Sequence, residues 1–318
     1  MRSTFLRLSL GLAVGLAGCG DDSNPAVDAG SDAPKTPDAP ESTFKGFDAD
    51  EGGEVRVEYI RFPDGKYSAR ATAYLFDNPG TTKYFPYINL NGCNDMTAKD
   101  KWPMATNPIA ERTYLDPGQV IVSGGAQPLL IQRNSMMAAD PFGRTHPANE
   151  WFFHNFNRMG EDGSTYLPEK TKLDVTFTGS DEMPAQIFDD VIYMPADFAV
   201  TEPGMVATVN IDASQDLTMT FTTPPDSPPP GYEVDSLIAI TGPGGPAFLC
   251  VEPNDGSITI PAAMLQAAKT KFPTGGSLAR QTLTHVVREL EDKDGPTGKR
   301  IDFIGVWCYA GTSVTWQQ

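Results

Sequence analysis

The run EVRVEYIR at residues 54–61 decides the fold, because its side chains alternate between charged and apolar. The charged set is Glu54, Arg56 and Glu58, and the apolar set is Val55, Val57 and Tyr59. A period of two residues is typical of a half-buried β-strand. The run YSARATAYLF at 67–76 repeats the alternation, and Pro-Asp-Gly at 63–65 supplies turn chemistry between the two runs. The sequence therefore predicts an antiparallel hairpin.

Short strand-like runs continue along the chain, and one helix interrupts them. The 28 prolines and 30 glycines favour short strands and many turns over long helices. The helix is predicted at 261–271 (PAAMLQAAKTK), since Pro261 suits a first helical turn and Pro273 follows the end of the run. The other predicted strands are 84–90, 119–123, 129–132, 150–156, 172–178, 186–194, 205–211, 217–222, 233–241, 247–251, 281–291 and 301–307.

These elements predict a mainly β fold, with two β-sandwich-like domains after a disordered tether and one short helix in the C-terminal domain. The first domain is expected at 44–203, where long irregular stretches such as 91–117 separate the strands. The second is expected at 204–318, where seven or so short strands favour a β-sandwich.

The chain is strongly acidic, and this narrows its partners. Its 24 Lys and Arg stand against 41 Asp and Glu, which gives a net charge of −17, and the bases form no run. Nucleic acids and anionic lipid headgroups are themselves negative, so we expect no nucleic-acid partner. Phosphate-loop, zinc-protease and serine-hydrolase motifs are absent from the sequence, and no cofactor is expected.

The N-terminus has the order of an export signal. Arg2 and Arg7 form a basic region, and LSLGLAVGLA at 8–17 forms an apolar run of ten residues. A membrane-spanning helix needs roughly 20 apolar residues, so this run is too short to remain as a span. It ends in Leu-Ala-Gly-Cys at 16–19. This ending resembles the lipobox of bacterial lipoproteins, in which the signal peptide is cut just before a lipid-carrying cysteine.

The lipoprotein resemblance implies a signal peptide at 1–18 and a mature chain that begins at Cys19 with a diacylglycerol on its thiol. Two or more acyl chains hold a protein firmly to a membrane. The next residue, Gly20, is not the acidic residue that retains some lipoproteins at the inner membrane, so the resemblance favours the outer membrane. An ordinary secretory signal with an unmodified cysteine is the alternative.

Residues 20–43 are predicted to form a disordered, acidic tether behind the lipidated cysteine. The segment reads GDDSNPAVDAGSDAPKTPDAPEST and contains no aromatic residue. Such a composition cannot bury enough apolar surface to offset the loss of chain entropy on folding. Its four prolines favour an extended form that would hold the body away from the lipid.

Three cysteines remain after Cys19, and an exported location permits disulfides. Cys93, Cys250 and Cys308 allow three single pairings, each of which leaves one free thiol. We favour Cys250–Cys308, because both residues lie in strand-like segments of the C-terminal region. Cys93 would then be a small buried side chain or a reactive thiol.

The C-terminal region carries two further resemblances. Its strand order resembles immunoglobulin-like or fibronectin type III-like modules, although Phe221 stands on the core strand where immunoglobulin domains carry tryptophan. Cys250 followed by DGSITIPA at 255–262 is similar to C-terminal modules of exported lipoproteins from soil myxobacteria. Neither resemblance implies a particular activity.

Two groups of residues are candidate sites. On a helix, His146, Glu150 and His154 would share one stripe and could hold zinc, whereas on a strand residues four apart lie about 13 Å apart. Trp102 and Trp151 lie in or beside the long loops, where their rings could stack on sugars or pack as a local core.

The sequence therefore predicts a lipid-anchored cell-envelope protein with a non-catalytic binding or structural role. Its expected partners are the membrane, through the anchor, and an envelope polymer, glycan or protein. One rival is an exported hydrolase that acts on an envelope or extracellular polymer with acidic residues from the loops of the first domain. The other is a metal-dependent adhesion module.

Overall fold

The computed structural model describes residues 52–78, 92–97, 113–133, 154–159, 163–204, 206–222, 229–242, 245–253, 256–292 and 295–317. These residues form a mainly β fold with sandwich-like packing and one α-helix, which confirms the predicted fold class. The strands are β1 (Gly53–Arg61), β2 (Tyr67–Asn78), β3 (Gly92–Asp95), β4 (Thr113–Leu115), β5 (Val120–Ser123), β6 (Leu129–Arg133), β7 (His154–Met159), β8 (Lys172–Phe177), β9 (Gln186–Tyr193), β10 (Val200–Glu202), β11 (Thr208–Ile211), β12 (Leu217–Phe221), β13 (Glu233–Gly242), β14 (Gly245–Pro253), β15 (Ser257–Ile260), β16 (Gly276–Asp292) and β17 (Gly295–Trp316). The helix α1 is Ala262–Lys271, and a short 3-10 helix spans Gly163–Thr165.

The predicted first hairpin is confirmed as β1 and β2. The two strands are antiparallel, and Arg61 lies opposite Tyr67 at the closed end. The amide of Phe62 donates to the carbonyl of Lys66 at 2.9 Å, and Gly65 has a φ of 79°. That φ is one which glycine adopts without steric cost, so the Pro-Asp-Gly segment turns the chain as its sequence predicts.

Most strands join one large sheet with the order β3-β14-β13-β16-β17-β1-β2-β7-β6-β5-β8-β9. Strand β17 is its central element, since it pairs antiparallel with β16 and parallel with both β1 and β11. Hydrogen bonds of the sheet thus join strands from both sides of residue 204. The division of the chain at that residue remains a prediction. A second sheet has three strands in the order β10-β12-β15.

The apolar core lies between one face of the central strands and the folded-over end of the same sheet. Val55 and Val57 of β1 are completely buried on this face. The ring of Phe303 on β17 meets Phe188 of β9 with 5.0 Å between ring centroids. A side chain at Gly305 would collide with the carbonyl oxygen of Tyr193, so β9 approaches β17 closely where this glycine stands. The packing of β9 over β17 makes the arrangement sandwich-like.

Helix α1 forms where the sequence predicts it. The carboxylate of Asp216 accepts a hydrogen bond from the amide of Ala262 at 2.7 Å and so satisfies one free donor of the first turn. Leu265 and Ala268 are the buried residues of the helix. At the other end, the indole Nε1 of Trp316 donates to the carbonyl of Phe272 at 2.7 Å. These contacts fasten the start of the helix to the residue before β12 and its end to β17.

The predicted disulfide Cys250–Cys308 is wrong, because the structure joins Cys93 to Cys250 and leaves Cys308 as a buried free thiol. Strand β3 pairs with β14 and sets Cys93 directly opposite Cys250. Cys308 lies on β17, three strand positions from β14, which corresponds to about 14 Å at the usual strand spacing. The Cα atoms of a disulfide are rarely more than about 7 Å apart.

The predicted signal peptide, Cys19 and the tether at 20–43 all lie outside the described residues. Among the residues that are described, no helix combines the length and the apolar character that a membrane span requires. The lipid anchor therefore stays a prediction from the sequence.

Candidate functional site

The charged face of β1 is buried, although its alternating pattern predicts a half-buried strand. Glu54, Arg56 and Glu58 are between 1% and 5% exposed. Burial of an ionised side chain is costly unless a partner of opposite charge lies close to it. Arg56 and Glu58 meet this requirement for each other. They belong to a set of ionic and polar side chains from β1, β2, β16 and β17, which we call the sheet polar cluster: Glu54, Arg56, Glu58, Arg70, Gln281, His285, Asp302 and Cys308.

Arg56 is the centre of one half of the sheet polar cluster. Its Nε donates to Oε1 of Glu58 at 2.6 Å, and one terminal nitrogen donates to Oε1 of Gln281 at 3.1 Å. A terminal nitrogen of Arg70, on β2, lies 3.7 Å from the other carboxylate oxygen of Glu58. These contacts join β2 to β1, and they join β1 to β16 across the intervening strand β17.

His285 and Asp302 form the other half of the sheet polar cluster. Nε2 of His285 lies 3.0 Å from Oδ1 of Asp302, and their side chains are 5% and 0% exposed. The strand register places Asp302 beside Glu54 of β1. An imidazole and a carboxylate at this distance resemble the orienting half of a catalytic triad. Their burial keeps solutes away from both groups.

Cys308 supplies the thiol of the sheet polar cluster. Burial raises the pKa of its thiol to about 12, and the negative charge of Glu58 acts in the same direction. The thiolate is the nucleophilic form of cysteine. Cys308 is therefore protonated at neutral pH, and its chemistry is that of a small buried side chain.

A second buried cation lies on the opposite, apolar face of the sheet. Arg280 of β16 is 1% exposed, and its Cζ lies 3.8 Å from the ring centroid of Phe198 and 3.4 Å from that of Phe221. Its terminal nitrogens donate to the hydroxyls of Thr282 and Ser236, each at 3.1 Å. Burial lowers the pKa of Arg280 to about 9, so the guanidinium keeps its charge at neutral pH.

The three-stranded sheet presents a row of hydroxyl groups to solvent, which we call the hydroxyl face. It consists of Thr201 on β10, Thr218 and Thr220 on β12, and Ser257 and Thr259 on β15. Thr201 and Thr220 share a hydrogen bond of 2.8 Å, and Thr218 and Thr259 share one of 3.0 Å. The residues that alternate with them on β12 and β15 are buried, so the strands that carry the hydroxyl face are packed against the core on their other side.

The sequence-predicted sites fall mainly outside the described residues. Trp102, Trp151, His146 and Glu150 all lie there, and of His154 only the backbone is described, as the first residue of β7. In the part of the chain that the structure describes, no group of three or more His, Cys, Asp or Glu side chains is placed to hold a metal ion. The zinc site and the stacking role of the tryptophans therefore stay predictions.

The sheet polar cluster and the aromatic sandwich around Arg280 are not among the sequence predictions. The run EVRVEYIR does contain a signal for the sheet polar cluster. Its charged residues alternate in sign, and such a pattern suits a strand that lies between other strands with polar side chains. The partners Gln281, His285 and Asp302 are more than 200 residues away. No local pattern relates them to β1.

Comparisons with known proteins add little. No family model matches the chain, and no curated protein matches it. Among solved structures, one titled "Crystal structure of DIP-gamma IG1+IG2" covers 88% of this chain and 99% of its own, at 14% sequence identity and a TM-score of 0.16. This is a weak likeness to a protein with immunoglobulin-like domains. A TM-score so low carries no argument about this fold or its function.

Proposed function

We propose that this chain is a lipid-anchored protein of the bacterial cell envelope, with a non-catalytic body that binds an envelope polymer. Leu-Ala-Gly-Cys at 16–19 supports the anchor, and Gly20 supports the outer membrane as its place. The acidic composition of 20–43 suits a spacer between lipid and body. In this proposal the mainly β body is held at the membrane surface and works there.

The observation that carries the non-catalytic role is the burial of the sheet polar cluster. General acid–base catalysis requires a side chain within hydrogen-bond reach of a substrate. His285 and Asp302 bond to each other at 5% exposure or less, and the thiol of Cys308 is buried and protonated. These groups hold strands together, and a substrate could reach them only if the sheet opened.

The hydroxyl face is the surface that we assign to binding. Its five side chains are uncharged in a chain of net charge −17. Hydroxyl groups both donate and accept hydrogen bonds, so they match the hydroxyls of a carbohydrate. An anionic polymer would be repelled by the net charge of the chain. The partner that fits is therefore a neutral polysaccharide of the envelope.

Replacing hydroxyls by methyl groups tests this surface. The triple variant Thr218→Val, Thr220→Val and Thr259→Val keeps β-branched side chains that suit strands and removes three hydrogen-bonding groups. We expect its binding to immobilised neutral envelope polysaccharide to weaken by about tenfold or more, measured by surface plasmon resonance with the full chain.

Thr208→Val is the matched control, because Thr208 is an exposed threonine on β11, outside the hydroxyl face. This variant should bind as the parent chain does. Equal binding by the triple variant and the control would refute the assignment of the hydroxyl face, and no binding by the parent chain would refute a neutral polysaccharide as the partner.

A further inference from the structure

The outer face of strands β6, β5, β8 and β9 carries a row of four side chains, three of which are apolar. Leu130 on β6 lies directly opposite Ile121 on β5, and Ile121 lies opposite Thr176 on β8. Thr176 in turn lies opposite Ile187 on β9. Leu130 is 39% exposed and Ile187 is 70% exposed. We call these four residues the apolar row, and the usual strand spacing makes it about 14 Å long.

The apolar row lies outside the core. The neighbouring residues on β5 and β8 point to the opposite face and are buried there: Val120, Val122, Val175 and Phe177. Single exposed apolar side chains are ordinary on a protein surface, whereas a continuous strip of them is typical of an interaction surface. Among the described residues, three large apolar side chains are classed as exposed, and two of them belong to this row.

The outer edge of β9 leaves little room for a partner that adds a further strand to the sheet. The carbonyl of Asp190 accepts a hydrogen bond from the hydroxyl of Tyr232. The carbonyl of Tyr193 accepts one from the hydroxyl of Thr284 on β16. The outer face is therefore the surface that is open to a partner, and helices are the elements that cover the faces of sheets in layered proteins.

Acidic side chains flank the apolar row on one side. Asp174 on β8 and Asp189 on β9 each stand two residues from a member of the row, which places them on the same face. Asp190 adds a third carboxylate, and one of its oxygens lies 2.7 Å from Nζ of Lys172. Three carboxylates beside one ammonium group leave an excess of negative charge. This excess disfavours a second copy of the acidic chain and favours a partner with lysine or arginine beside its apolar residues.

From these observations we infer that the apolar row binds a cationic amphipathic helix of another protein. The apolar stripe of the helix covers the row, and its basic residues lie against Asp174 and Asp189. A length of about 14 Å corresponds to about nine residues of helix, at about 1.5 Å per residue. This surface is separate from the hydroxyl face, and the inference does not depend on polysaccharide binding.

A labelled synthetic helix of leucine and lysine, with the leucines along one side, is the probe. Its binding to the full chain is measured by fluorescence anisotropy. Ile187→Thr keeps a β-branched side chain that suits the strand and removes the most exposed apolar group of the row. We expect this change to raise the Kd of the peptide about fivefold or more.

Val206→Thr is the matched control, because Val206 is 44% exposed and lies outside the apolar row. This variant should bind the peptide as the parent chain does. If the parent chain does not bind the peptide, or if the two variants bind it equally well, the inference is wrong.

The acidic flank is tested by Asp189→Asn against Glu202→Gln, which removes the same charge from β10 in the other sheet. At low salt we expect Asp189→Asn to raise the Kd about threefold, and Glu202→Gln to leave it nearly unchanged. Equal effects would show that the peptide responds only to net charge and would overturn the inference.

A second copy of the chain is the rival occupant of the apolar row. Sedimentation equilibrium of Cys19→Ser, chosen to avoid association through lipid, should show a monomer. A dimer that is lost when Ile187→Thr is added would assign the row to self-association and overturn the inference.

Discussion

Arg56 is a buried cation whose stability depends on the side chains around it. It bonds to Glu58 on its own strand and to Gln281 on β16. Taking a charge out of water costs several kcal/mol, and a close carboxylate repays this cost only where the pair stays intact. The stability of each buried charge in the sheet polar cluster therefore depends on the side chains that it contacts.

Removal of one partner tests that dependence. Arg56→Met keeps the length of the side chain and leaves the buried carboxylate of Glu58 with only the more distant Arg70 at 3.7 Å, so we expect the free energy of unfolding to fall by about 3 kcal/mol. The measurement is urea unfolding with comparison of midpoints at constant slope. Arg61→Met is the control, because Arg61 pairs with Asp197 at 3.1 Å while both side chains are at least one-third exposed. Its loss should stay near or below about 1 kcal/mol. Equal losses would contradict the account of the cluster.

The buried thiol of Cys308 makes the stability of the fold depend on pH. Its pKa in the folded chain is raised from 9.0 to about 12, so the folded state holds a proton that the unfolded chain releases. The contribution of the thiol to stability is therefore full below pH 9 and is lost as the pH rises from about 9 to about 12.

The expected slope is about 1.4 kcal/mol per pH unit within this window. Other groups also titrate there, so the relevant quantity is the difference between the parent chain and Cys308→Ala. That difference in the free energy of unfolding should shrink as the pH rises above 9. A difference that stays constant up to the alkaline limit of folding would show that the thiol is not buried as described.

At the scale of the element, local sequence patterns predict some strands and the helix well. The β1–β2 hairpin and α1 follow from alternation, turn residues and proline placement, all of which act over a few residues. The parallel pairing of β1 with β17 joins residues about 250 positions apart, and no local pattern encodes it. The error in the cysteine pairing has the same origin, because it depends on which strands become neighbours.

The Cys93–Cys250 bond fastens the edge strand β3 to β14. It joins residues 157 positions apart, and on the chain-entropy model such a loop closure stabilises the fold by about 5 kcal/mol. Cys93→Ser should therefore lower the urea midpoint strongly, whereas treatment of that variant with a reducing agent should change nothing further. Peptide mapping of the unreduced parent chain should recover Cys93 linked to Cys250. Recovery of Cys250 linked to Cys308 would contradict the strand order.

The candidate sites, like the strands, could be predicted from the sequence only where they depend on local patterns. The charged half of EVRVEYIR is visible in the sequence, but its burial is not, since burial depends on strands from the far end of the chain. The hydroxyl face is visible only as alternation in LTMTF at 217–221 and SITI at 257–260. The sequence does not show that these two segments pair, and it therefore gives no sign of a continuous surface.

At the scale of the whole molecule, the proposed function depends on where the chain is held and on its net charge. The proposed anchor would hold an acidic chain at a membrane surface; its full sequence has a net charge of −17, and this sign of charge disfavours contact with anionic lipid headgroups. In the proposed function, the contact region is the uncharged hydroxyl face. The buried ionic groups stabilise the sheet that carries it.

The lipid anchor at Cys19 is the claim on which this account of the whole molecule depends. Its most direct test is mass spectrometry of the mature N-terminus, together with membrane fractionation of the parent chain and of Cys19→Ser. We predict that the mature chain begins at Cys19 with a diacylglycerol on the thiol, and that Cys19→Ser loses the lipid and leaves the membrane fraction. An unmodified Cys19, or a serine variant that stays lipidated and membrane-bound, would contradict the account.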